Sequence, residues 1–440
     1  MTPAQLRALD SQLEKFTEKM FSGMGRVERR HAMLLYTTGL LLDGERKSIE
    51  PMAARVAENE SQTEAMRQRL QQCVSVSDWS DDEVRSRLAL EVDSRLPEVA
   101  ALVLDDTGFA KKGTYSVGVA RQYSGTLGRT DNCQVATSLH LAGERGSVCI
   151  GMRIYLSKEW ARSRKRRKLV GVPSTVKFQR KWEIALSQLD DAARWGVRKH
   201  PVLFDAGYGD ITEFRDGVTS RGLKYVAQVA GTLKFWIPGC APGEEHHARG
   251  DKPLAVKDIA SFIGRRLYRS VSWREGSRGK QRTNVAALRV RCAHQHGRGK
   301  TPGAEEWLLC EWPDDESAPT KFWLSTLPAD TSLKQLVRFA KLRWRVERDY
   351  QELKGEVGLD HFEGRTWRGF HHHATLCAVA HGFLALHRAL SPPIHQELDA
   401  GDGSSASPTG SPQAAGLMPV VPSFHSASSA AHRTVAHVIT

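Results

Sequence analysis

Between Phe339 and Val357, apolar residues recur at Phe339, Leu342, Val346, Tyr350, Leu353 and Val357, in alternating steps of three and four. That spacing is the stripe of a helix packed on a core, and it fixes how the helix is turned. At roughly 100° per residue, Glu347 lies about 40° round from Arg343, and Lys354 returns to within about 20° of Arg343 after three turns. One face then presents a carboxylate between two cations. On an isolated charged helix such a face is ordinary ion pairing, so a function requires partners from elsewhere in the chain.

Two acid-bearing segments are available. Val99-Ala-Ala-Leu-Val-Leu104 is a continuous apolar run leading into Asp105-Asp106-Thr107-Gly108, and Val202-Leu-Phe204 leads into Asp205-Ala-Gly-Tyr-Gly-Asp210. Each reads as a buried strand stopping at an acid. Strand-like segments also fall at Tyr115 to Tyr123, Cys133 to Leu141, Ser147 to Leu156 and Tyr225 to Val229, with helices expected from about Ser174 to Trp195 and from Asp210 to about Arg221. The expected fold class is α/β, a mixed sheet flanked by helices.

Around this centre the chain divides by texture. Residues 1–92 read as a helical domain with segments Gln5 to Phe21, Arg26 to Leu42, Ile49 to Asn59, Gln62 to Cys73 and Asp81 to Val92, the last capped by Ser80; its basic edges suit a DNA contact or a plain scaffold. Residues 93–229 and 329–390 form the expected catalytic unit. They flank a β-rich insertion, 230–328, with strand-like pieces Leu267 to Trp273, Val285 to Val290 and Glu306 to Glu311. One helix is expected from Asp330 to about Val357 and an apolar one from Gly369 to Ala389. Residues 391–440, rich in Ser, Ala, Pro and Gly, are expected to be disordered.

Sixty-three Lys and Arg against fifty Asp and Glu give a net charge of +13. A charge of that sign favours a polyanion through counterion release, and nucleic acid is the default candidate. The densest basic cluster, Lys158 to Lys168, includes Lys165, Arg166 and Arg167. Seven scattered cysteines do not form a disulfide framework, and neither a signal peptide nor a membrane span is legible, so a soluble cytoplasmic protein is expected. Cys292-Ala-His294-Gln-His296 lacks a second ligand pair for zinc and reads as a polar loop. His371, His372 and His373 read as surface or capping residues at a helix start.

Phosphodiester transfer needs charge neutralised on the attacking and leaving oxygens. Two divalent ions held among carboxylates about 3.5 to 4 Å apart do this. Magnesium prefers oxygen ligands and retains waters, so three acids suffice. Asp105 or Asp106, Asp205 and Glu347 are such a set.

These segments, with Arg343-Trp-Arg-Val-Glu347 and Lys354 seven residues on, resemble the DDE transposases of bacterial insertion sequences, over about residues 95 to 390. The resemblance is to the group with an RNase H-like catalytic domain, a Tyr-Arg-Glu-Lys signature and a β-rich insertion before the catalytic Glu. It implies Asp205 and Glu347 as metal ligands, and Arg343 and Lys354, with Arg345, as contacts to DNA. For the first acid, the family's Asp-x-Thr pattern selects Asp105 while a strand-end count selects Asp106; Asp105 is favoured. The signature Tyr is replaced by Ala340. Implied cofactors are two Mg2+ per active site, with Mn2+ able to substitute. Implied partners are the terminal inverted repeats and target DNA, with a dimer in the DNA complex and no membrane. Trp236, Trp273, Trp307, Trp312 and Trp323 lie in or beside the insertion, where related enzymes can stack a flipped base; core packing is the commoner role. The rival functions are a nuclease of the same fold without strand transfer and a DNA-binding derivative that has lost catalysis.

Overall fold

The computed structural model describes residues 2–237, 239–247, 251–276, 279–293 and 302–391. The expectations for His294, His296 and the 392–440 tail lie outside these residues.

The fold is α/β, as the strand and helix texture implies. Strands β1 (Val99–Ala110), β2 (Ala120–Ser124), β3 (Arg129–Gly143), β4 (Ser147–Ile154), β5 (Val202–Phe204), β6 (Tyr225–Val229), β7 (Lys234–Trp236), β8 (Leu254–Ala255), β9 (Arg269–Gly276), β10 (Gly279–Cys292), β11 (Glu305–Glu311) and β12 (Lys321–Ser325) form a single mixed sheet. Its order is β2-β3-β1-β5-β6-β12-β11-β10-β7-β8, with β4 also on β3 and β9 also on β10. Among the described residues, only β1–β5 and β5–β6 are parallel pairs. The strands of residues 230–328 therefore extend the central sheet through β12 on β6.

Five helices precede the sheet: α1 (Pro3–Phe21), α2 (Val27–Leu41), α3 (Ile49–Val56), α4 (Thr63–Ser75) and α5 (Asp81–Arg95). Ser80 caps α5, its Oγ accepting from the Glu83 amide at 3.2 Å. Between β4 and β5 come α6 (Lys158–Arg162), α7 (Arg164–Val170) and α8 (Lys181–Trp195). Next follow α9 (Ala206–Gly209), α10 (Thr212–Ser220) and α11 (Val256–Phe262), and finally α12 (Leu333–Leu342), α13 (Arg345–Gln351) and α14 (Trp367–Leu390). The last, buried nearly throughout, packs on β4 and on α2, α4 and α5, joining the N-terminal helices to the sheet in one core.

Four expectations are corrected. First, β1 does not stop at its acids but continues to Ala110, with Asp105 opposite Ser138 and Asp106 opposite Thr137, because β3 offers a partner along its whole length. Second, α8 begins at Lys181, not near Ser174, where the Glu183 carboxylate takes the Arg180 amide at 2.6 Å and fixes the start. Third, the single helix expected from 330 to 357 is broken. The amides of Trp344, Val346 and Glu347 bond three residues back, which tightens the turn between α12 and α13, and Glu352–Glu356 then widens into a π-turn. Glu352 is held there by Arg388 at 2.9 Å and His381 at 3.2 Å, both on α14. Fourth, His371, His372 and His373 are not at the surface but buried. His372 stacks on Trp79 with ring centroids 3.7 Å apart, and His373 Nδ1 lies 2.8 Å from the Tyr36 hydroxyl, so the triplet binds α14 to the N-terminal helices.

Candidate active site

Three elements bring the acids together. β1 carries Asp105 and Asp106 in the middle of the sheet; its parallel neighbour β5 ends at Asp205; and α13 crosses above them with Glu347. Asp205 is the N-cap of α9, its Oδ1 facing the Tyr208 amide at 3.4 Å. Gly209 lets that short helix lie against β6, since a Cβ there would stand 1.9 Å from the Gln228 carbonyl oxygen.

Arg343, at the break between α12 and α13, bridges two of the acids. Its Nη1 is 2.8 Å from Asp105 Oδ2 and its Nη2 is 3.0 Å from Glu347 Oε1. The Asp105 side chain is 15% exposed and that of Glu347 63%, so the pair runs from the floor of the site to its rim. Burial pushes the Asp105 carboxyl up to about 6; the Arg343 guanidinium opposes this and the nearby Asp205 charge adds to it. Burial also raises Asp205, opposed by Arg343 and reinforced by Asp106. Asp106 takes a different environment: the Lys181 ammonium and the Tyr208 hydroxyl both engage its carboxylate. Asp105 alone of the two shares a cation with Glu347.

Lys354 reaches the same strand three residues beyond Asp105, its Nζ donating to the Gly108 carbonyl at 2.9 Å with Thr126 Oγ1 at 3.3 Å. Burial lowers its pKa. Arg343 thus contacts two of the acids and Lys354 the strand that carries Asp105, although the helix between them is not regular.

Arg345 points elsewhere. It flanks the Trp344 ring at 5.0 Å while Arg274 covers that ring at 4.4 Å, beside a cavity of about 490 Å³ that none of the four acids lines. In the basic cluster, Arg166 stacks on Trp160 at 3.9 Å and Arg167 donates to the carbonyls of Ala161, Pro173 and Val176, so both guanidinium groups are engaged within the fold, whereas Lys165 is exposed. Trp236 and Trp323 are buried, and the indole N–H groups of Trp307 and Trp312 donate to the carbonyls of Pro328 and Glu316. Ala340 is buried in the apolar cluster with Leu336 and Val337, leaving no signature tyrosine at that position.

Pattern reading missed Lys181 and Tyr208 as partners of Asp106. Tyr208 sits inside the Asp205 to Asp210 turn that had been singled out, while nothing periodic marks Lys181.

The donor chemistry suits a divalent ion: two largely buried aspartates whose charged forms are penalised by burial and by neighbouring carboxylates are oxygen ligands that a cation would relieve. As the side chains stand, no group of three His, Cys, Asp or Glu among the described residues is close enough to hold an ion. Glu347 stands apart from the two aspartates, paired with Arg343.

Comparison with known proteins gives the family. Residues 19–280 match the family described as DDE superfamily endonuclease, and residues 180–383 match the transposase DDE domain. The chain is 31% identical over 328 residues, 74% of each chain, to a probable transposase for insertion sequence element IS701 from Microchaete diplosiphon.

Proposed function

The chain belongs to the DDE transposases of insertion sequences, and on that premise we propose that it binds the terminal inverted repeats of its own element, nicks the DNA at their ends in a Mg2+-dependent reaction, and joins the freed 3'-hydroxyl to target DNA. The observation that carries this reading is the shared guanidinium: Arg343 ties Asp105 to Glu347 beside Asp205. That one cation joins two acids far apart in sequence supports the reading.

In this reading Asp105, Asp205 and Glu347 are the metal ligands and Asp106 supports them, held in place by Lys181 and Tyr208. Bound Mg2+, or Mn2+ in its place, supplies an acidified water and neutralises charge on the scissile phosphodiester. Arg343 exchanges its carboxylates for a DNA phosphate as the duplex end enters, which frees Glu347 to join the aspartates. Lys354 takes a neighbouring phosphate. Arg345 and the exposed Lys165 act as more distant phosphate contacts, while Arg166 and Arg167 anchor the short helix α7 that presents Lys165. Two copies act together on paired ends.

Glu347→Gln tests the assignment, because it removes a ligand without removing a phosphate contact. End nicking is expected to be lost and binding of the terminal repeat to stay within a few-fold of wild type. Equal loss of both would refute the role given to Glu347.

A further inference from the structure

Behind the acids lies a buried polar chain that the reaction described above does not use. Ser138 stands on β3 directly opposite Asp105, and both Ser138 and His140 are wholly buried. The Ser138 hydroxyl lies 2.6 Å from the Tyr350 hydroxyl, 2.9 Å from His140 Nε2 and 3.4 Å from the Asp105 carbonyl oxygen. His140 Nδ1 is 2.6 Å from Asp349 Oδ2, and Ser147 on β4 donates to Asp349 Oδ1 at 2.5 Å. Asp349 and Tyr350 follow Glu347 by two and three residues on α13. An unbroken run of hydrogen bonds therefore links the backbone of Asp105 to the helix that carries Glu347.

The order Ser138, His140, Asp349 has the connectivity of a nucleophilic triad, but the hydroxyl is shut away from solvent and is shared with Tyr350. No substrate reaches it. A stabilising role alone is also a weak account, since buried ionic pairs can often be replaced by well-packed apolar side chains without loss of stability. What such a chain supplies that apolar packing does not is a fixed separation: a helix on an apolar bed can slide by tenths of an ångström, whereas short directional bonds penalise that movement.

We infer that Ser138, His140, Asp349 and Tyr350 are positioning residues, which set how far Glu347 stands from Asp105 and so tune the metal affinity of the acid site. The inference rests on the metal-dependent reading given above. Supporting groups of this kind change metal affinity by about 10-fold to 100-fold when removed.

The test uses the full chain and two variants that each delete one hydroxyl, Tyr350→Phe and Ser138→Ala. Mn2+ binding is followed by electron paramagnetic resonance, single-turnover nicking by gel, and repeat binding by salt titration. Both variants are expected to bind the repeat as wild type does, to need about 10-fold more Mn2+, and to nick more slowly with the KM for DNA unchanged. Mn2+ affinity within twofold of wild type in both variants, or a loss of nicking that only follows a loss of folded protein, would overturn the inference alone. A wild type that neither binds Mn2+ nor nicks would overturn the metal reading and this inference with it.

Discussion

Acid should weaken this protein already above the ordinary carboxylate range, and the buried histidines of α14 are the reason. Burial lowers His371 and His373 to about 4 from the ordinary 6.5. Arg85 and Arg153 push His371 further down while Asp81 pulls it up; Lys111 and His361 add slightly to the lowering of His373. Each ring is neutral in the fold and titrates near 6.5 once unfolded, so the unfolded chain takes up more protons as pH falls below 6.5, and stability is lost through the window from 6.5 down to 4. Between pH 7 and pH 5 the linkage amounts to about 2 kcal/mol for each ring, or about 4 kcal/mol for the two. That is a large share of the roughly 5 to 15 kcal/mol that keeps a domain folded. His372, between the carbonyl oxygens of Val74 and Trp79, is also lowered to about 4 by burial and adds in the same direction. Two groups oppose the loss: His140, raised to about 10, has a contribution that is complete below 6.5 and fades as pH rises from 6.5 to 10, and Asp105, raised to about 6 by burial, gains stability as pH falls through 6, which together offset about 2 kcal/mol between pH 7 and pH 5. Urea unfolding at pH 7.5, 6.5, 5.5 and 5.0 should show the loss, and His373→Gln should remove about 2 kcal/mol of it. A stability that is flat from pH 7 to 5, or a slope untouched by His373→Gln, would refute the reasoning.

Two further substitutions separate contacts from scaffolding. Lys354→Ala should weaken repeat binding at low salt and make the logarithmic salt dependence shallower by about one unit, as loss of one phosphate contact does; a defect independent of salt would mean that its bond to Gly108 is structural. Gly209→Ala should destabilise by about 1 to 3 kcal/mol in thermal unfolding, because its Cβ would meet the Gln228 carbonyl at 1.9 Å, whereas Gly113→Ala, with nothing within 4 Å of the added atom, should be nearly neutral. Equal effects would contradict the close approach of α9 to β6.

The parts of the fold that the sequence displays are those with strong local periodicity. Tyr225–Val229 and the Ser80 cap of α5 stand where the pattern puts them, because an apolar run and a capping hydroxyl act over a few residues. The strand end at Asp205 was legible for a similar reason, since this residue follows a short buried run and precedes glycines. What was hidden depends on long-range partners. β1 runs on past Asp105 because β3 is there to pair it, and His371 to His373 are buried because α2, α4 and the turn around Trp79 cover them. The break at Arg343 was masked by an apolar stripe that fits an uninterrupted helix, whereas the ion pair from Arg343 to Asp105 connects residues 238 apart in sequence and no local pattern encodes it. The chain of Ser138, His140 and Asp349 was invisible on the same ground.

The most direct test of the central claim is nicking of a DNA fragment carrying the element's own terminal repeat, with Mg2+ and with EDTA, by wild type and by Asp205→Asn. Nicks at the repeat end that require both Mg2+ and Asp205 are the predicted result. Specific binding without cleavage under any metal condition, or cleavage that persists in Asp205→Asn, would contradict it.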